Sequence, residues 1–98
     1  MIIVTGSVRA RPDALADVLR LSLEHVHRSR LEPGCLLHSV HQDVEDPNHV
    51  VFLEHWADAA ALKIHFAVPE SSAFARALGE LSTERTSIGI YEAAPVTM

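Results

Sequence analysis

With 98 residues, a net charge of −5 and a hydrophobic fraction of 48%, the chain has room for one domain spanning 1–98 and not for two. The acid excess and the lack of a basic cluster, Arg28 and Arg30 being the densest pair, argue against nucleic acid as a partner. A lone cysteine, Cys35, leaves no internal disulfide and fits a reducing cytoplasm, and the apolar start Ile2-Ile3-Val4 is too short for a signal peptide or a membrane span.

Ile2 to Arg9 alternates with period two and predicts a strand with one apolar face and one mixed face. Arg11-Pro12-Asp13 interrupts it. Leu15, Val18, Leu19, Ser22, Leu23 and Val26 then recur at helical spacing, with Asp13 and Asp17 at the positive end and Arg28 and Arg30 at the negative end. Glu32-Pro33-Gly34 stops this helix. Cys35 to Val44 predicts a second strand, and the polar run Glu45-Asp46-Pro47-Asn48 predicts a hairpin into a third.

That third strand begins the stretch around which the chain is organised, HVVFLEHWADAAALKIHF from His49 to Phe66. Val50, Phe52, Glu54 and Trp56 share one parity, and His49, Val51, Leu53 and His55 share the other. Apolar groups on both faces predict an interior strand covered on both sides, with the Glu54 carboxylate set between Phe52 and Trp56. Asp58 caps a helix that ends near Val68-Pro69. Pro69-Glu70-Ser71-Ser72 opens another, striped with Phe74, Ala77, Leu78 and Leu81, and Thr86 to Glu92 predicts a last strand.

The order strand, helix, strand, strand, helix, strand matches the split βαβ pattern of ferredoxin-like folds: an α+β protein with a βαββαβ antiparallel sheet. Helices cover one sheet face only. The other face is apolar in part, so a second copy of the chain is its simplest cover, giving a homodimer with facing sheets.

Several segments then resemble the antibiotic biosynthesis monooxygenase family. Glu32-Pro33-Gly34-Cys35-Leu36 resembles its post-helix turn, and Asp46-Pro47-Asn48 its hairpin turn. Phe52-Leu53-Glu54-His55-Trp56, followed by Ala60, Leu62 and His65-Phe66, resembles its E-x-W and A-L-x-x-H segment. The resemblance implies a dimeric α+β barrel and a monooxygenase, an oxidoreductase that oxidises a small phenol or quinol with dioxygen and needs no cofactor, metal or flavin. It also leaves open a non-enzymatic small-molecule-binding dimer module, haem degradation, and an isomerase activity. The haem-degrading branch pairs Trp and His with an Asn on the first strand, whereas the only Asn here is Asn48, in the hairpin turn. The isomerase would need cations for phosphate, and Arg9, Lys63 and Arg76 are placed by no motif.

A cofactor-free oxygenase requires a dry pocket, a base and donors that hold the substrate anion. His65 is the first candidate for base or anion holder, or else an interfacial histidine bonded to backbone or to Glu54. Glu54 either orients His65 or accepts a phenolic proton, or else forms an ion pair with an arginine, in its own chain or across the dimer. Trp56, Phe52 and Phe66 are expected to line an aromatic pocket, with Phe74 and Tyr91 as secondary wall residues, or to be ordinary core. Seven histidines invite a metal, but spacing argues for none. His25 and His27 are ~200° apart around a helix. His38 and His41 point to opposite faces, and His49 and His55 lie ~20 Å apart along one face. A hairpin closed at Glu45 to Asn48 would set His38 opposite His55, which makes two ligands and no site. Cys35 reads as a small apolar filler.

Overall fold

The computed structural model describes residues 1–98. Strand β1 (Ile2–Arg9) leads through a 3₁₀ turn (Pro12–Ala14) into helix α1 (Leu15–Ser29). Strands β2 (Cys35–Gln42) and β3 (His49–Trp56) form the hairpin. Helices α2 (Ala59–Ala67) and α3 (Pro69–Leu81) precede β4 (Ser87–Glu92). The four strands make one antiparallel sheet ordered β2-β3-β1-β4. This is the ferredoxin-like α+β fold, with the second helical region split at Val68-Pro69.

The local chemistry explains the boundaries. Asp58 Oδ1 accepts from the Ala61 amide at 2.8 Å, which caps α2. Val68 is extended, as the residue before a proline must be, and Pro69 then starts α3 at a position where its missing N–H costs nothing. Gly34 takes φ +82 in the turn after α1, a region only glycine enters freely.

Register places the buried residues of the two central strands on one face. Val4 pairs Glu54, Gly6 pairs Phe52 and Val8 pairs Val50. One core cluster packs Val8, Val50 and Phe52 against Val18 of α1 and Leu78 of α3. A second packs Val4 and Trp56 against Leu62 of α2. The opposite face carries Ile3, Leu37, Val51, Leu53 and Tyr91, half-buried or exposed.

Two local expectations are corrected. The buried stripe of α1 is Val18, Ser22, His25, Val26 and Ser29, while Leu23 is 48% exposed, so His25 takes the inward place assigned to Leu23. The hairpin closes earlier than Glu45. Asp43 Oδ1 accepts from the Glu45 amide at 2.8 Å and Asp46 Oδ1 from the Asn48 amide at 3.2 Å. These tandem side-chain turns draw Asp43 and Val44 out of the strand. Pairing shifts by one residue, so His38 faces Glu54 and Leu37 faces His55. A one-residue shift exchanges faces, which carries His38 to the helix-covered side.

Candidate active site

The two apolar clusters are separated by a polar one. Glu54 lies between Phe52 and Trp56 on β3, and around it sit His38 from β2, His25 from α1 and His65 from α2. All four are buried. The imidazole centroids are 5.2 Å apart for His25 and His38, 5.3 Å for His25 and His65, and 5.6 Å for His38 and His65.

Each polar contact can be named. Trp56 Nε1–H donates to Glu54 Oε1 at 2.8 Å. His38 Nε2 is 3.4 Å from the same oxygen, close enough for charge attraction but not aligned as a hydrogen bond. His65 Nε2 is 3.9 Å from it. On its other side, His65 Nδ1 meets both carboxylate oxygens of Glu32, at 3.0 and 3.1 Å. His25 Nδ1 accepts from Arg28 at 2.7 Å, and its ring stacks on Phe74 with centroids 4.1 Å apart.

Protonation follows from these contacts. Burial first, then the neighbouring His38, His65 and Arg28, pushes the His25 pKa down to about 3, so its ring is neutral near pH 7. For Glu54, burial is the largest influence and acts upward. The His38 contact, the Trp56 hydrogen bond and His65 together outweigh it, and the carboxyl lies below its ordinary value. Burial, then Glu32 and Glu54, pushes the Cys35 thiol up, which disfavours a nucleophilic thiolate.

A cavity of about 240 Å³ opens beside the cluster, between the β1–β4 side of the sheet and helices α1 and α3. Its wall includes Phe52, Phe66, Phe74, Glu54, His25 and His65. Gly6 also lies on it, opposite Phe52, where the absent side chain leaves room. Five of the seven residues expected at a site are thus brought together on one wall. The other two are not. Trp56 is wholly buried behind His65, with ring centroids 4.6 Å apart, and acts there as a donor to Glu54. Tyr91 is 56% exposed on the opposite sheet face, where its ring lies over Gly89.

The contacts expected of the two ionisable residues also differ. Glu54 pairs with no arginine of this chain; its partners are Trp56, His38 and His65. His65 bonds Glu32 rather than backbone or Glu54. Spacing along single elements and across the hairpin predicts no histidine group with metal-ligand geometry. The fold instead gathers His25, His38 and His65 from three elements, with one nitrogen of each within 4.8 Å of the others. Arg28 donates to His25 Nδ1 at 2.7 Å, which sets a guanidinium beside the group.

The chain matches the model of the family described as "Antibiotic biosynthesis monooxygenase" over residues 1–77. It belongs to that family. A crystal structure of an antibiotic biosynthesis monooxygenase superposes with a TM-score of 0.89 and 33% identity, over 97% of this chain and 100% of that one. A proposed antibiotic biosynthesis monooxygenase from Deinococcus radiodurans superposes with a TM-score of 0.94 and 31% identity, over 100% and 97% of the two chains. Among relatives by sequence, the uncharacterised protein sll1783 of Synechocystis sp. is 33% identical over 93 residues, 95% of this chain. The chain spans only 63% of that relative's length. The proposed monooxygenase YcnE of Bacillus subtilis is 31% identical over 65 residues, 66% of this chain and 68% of that one. No helix is long and apolar enough to cross a membrane.

Proposed function

We propose that this family member is a monooxygenase for a small phenol or quinol, with dioxygen as co-substrate and with no metal or organic cofactor. One observation carries the reading: an aromatic-walled cavity of about 240 Å³ whose polar lining includes the His65 imidazole and the Glu54 carboxylate. That volume is below the ~300–1,000 Å³ of drug-sized pockets, which suits one or two rings. Three phenyl rings, Phe52, Phe66 and Phe74, are among the cavity's lining.

His65 Nε2 accepts the phenolic proton. The imidazolium so formed lies between Glu32 and Glu54, which offsets its charge. In a phenol the free ring carbon para to the phenolate takes up dioxygen as a hydroperoxide, and loss of water leaves a quinone; in a quinol a free ortho carbon does so, and loss of water leaves a hydroxyquinone. One oxygen atom enters the product and the other leaves as water, with both electrons supplied by the substrate. Burial of the site keeps the anion and the peroxide away from bulk water.

Two copies pair through the face that bears Ile3, Val51 and Leu53, in the cytoplasm, where the free Cys35 stays reduced. A panel of phenols and quinols, followed by oxygen uptake before and after exhaustive chelation, tests the function. Uptake that survives chelation supports the reading; a need for one tightly held metal ion per chain overturns its metal-free part. The second reading is a non-enzymatic binding dimer, which predicts saturable binding of the same compounds with no uptake.

A further inference from the structure

Glu32 and His65 are 33 positions apart, one in the turn after α1 and one near the end of α2. The turn alone would explain Glu32 as part of a helix stop. Its side chain is instead only 15% exposed and straddles His65 Nδ1 with both oxygens. A carboxylate cannot donate, so the hydrogen of that contact lies on Nδ1. In the neutral ring the lone pair then lies on Nε2, the nitrogen 3.9 Å from Oε1 of Glu54, which lines the cavity as His65 does.

The backbone holds this arrangement. Glu32 N–H donates to Ser29 O at 3.0 Å, Cys35 N–H to Glu32 O at 3.2 Å, and Ala57 N–H to Gly34 O at 2.8 Å. A Cβ on Gly34 would sit 2.6 Å from Ala61 Cβ, so the turn backbone rests directly on α2 one helical turn before His65. The Arg28 guanidinium, 3.7 Å from Glu32 Oε2, closes the outer side.

We propose that Glu32 is the positioning residue of the site: it fixes the His65 tautomer with Nε2 free and offsets the charge of the imidazolium. The proposal rests on His65 acting as the base. It assigns Glu32 no contact with substrate.

The test reads the tautomer first, without substrate. Ring ¹⁵N shifts of His65 are recorded in the wild-type chain and in Glu32→Ala, Glu32→Gln and Glu32→Asp. The wild-type ring is expected in the Nδ1–H form, and Glu32→Ala should gain Nε2–H form. Glu32→Gln keeps an accepting oxygen and should keep Nδ1–H while losing the charge. Turnover per folded chain should then fall at least about tenfold in Glu32→Gln, further in Glu32→Ala, and recover in part in Glu32→Asp; the ceiling is the about 10²–10⁴-fold worth of a general base. An unchanged tautomer in a folded Glu32→Ala chain overturns the proposal. So does unchanged turnover in Glu32→Gln. A shifted tautomer with no uptake on any phenol or quinol supports Glu32 as positioning residue while refuting the proposed reaction, so the two failures are distinguishable.

Discussion

Trp56 Nε1–H donates to Glu54 Oε1 across 2.8 Å, from a position two residues along the same face of β3. The indole is fully buried and the carboxylate nearly so. A carboxylate in such a place is tolerated only when its oxygens are satisfied. The alternation of β3 therefore supplies the acid and its donor together.

Replacing Trp56 with Phe keeps an aromatic ring and removes the donor. We expect a loss of about 1–3 kcal/mol, the cost of an under-satisfied buried acceptor, measured by urea unfolding near pH 7. The Glu54 carboxyl should also titrate at higher pH, followed by ¹³C NMR. Because Glu54 now lies below its ordinary value, its contribution is present above the unfolded pKa and lost as pH falls through the folded one. In Trp56→Phe that loss should be smaller and complete at higher pH, because its onset is set by the unchanged unfolded pKa.

His25 is expected to contribute to the acid limit of the fold. Its pKa falls from 6.5 to about 3 on folding, so the unfolded chain binds the proton more readily. Stability should be unaffected above pH 6.5 and decline from there towards pH 3, by an amount on the order of several kcal/mol. The groups around it are His38, His65, Arg28 and Glu54, with Phe74 stacked on the ring. Unfolding free energies measured between pH 7 and 4 should fall more steeply for the wild type than for His25→Phe. Equal slopes would show that another group sets the limit.

Gly34→Ala should be costly for two separable reasons. The residue has φ +82, and its new Cβ meets Ala61 Cβ at 2.6 Å. A loss of about 1–3 kcal/mol is expected from the backbone alone. Adding Ala61→Gly relieves the contact but not the φ. The double variant should thus recover part of the stability in a mutant cycle, beyond the intrinsic helix penalty of about 1 kcal/mol for Gly at position 61. An additive cycle would rule out the contact.

Leu53 is the probe for the dimer. It lies on the sheet face away from the helices, whereas Phe52 faces the core and the cavity. Sedimentation should give a dimer at micromolar concentration and a folded monomer for Leu53→Asp. A wild-type monomer would remove the facing-sheet arrangement.

Much of this was legible from local pattern. Period-two alternation located β1 and β3 and set Phe52, Glu54 and Trp56 on one face; Asp58 and Pro69 marked the two helix starts. The site was legible only in part. Whether Asp43 carries on the strand or turns it depends on side-chain hydrogen bonds, and that one residue decides whether His38 joins Glu54 or His55. Leu23 and His25 lie on different sides of α1, and a hydrophobic stripe favours the leucine although the fold buries the imidazole. Glu32 was already explained by its turn, so nothing local pointed its side chain at a histidine 33 residues on. Contacts among β2, α1 and α2 are long-range, and spacing within one element does not contain them.

The most direct measurement is oxygen uptake by the wild-type chain and by His65→Ala, on the same phenol or quinol, with melting temperature recorded on the same samples. If Nε2 of His65 takes the substrate's proton, uptake per folded chain falls by about 10²–10⁴ and the variant stays folded. A lower melting temperature with undiminished uptake per folded chain would show that His65 is structural, and the proposed chemistry would be wrong.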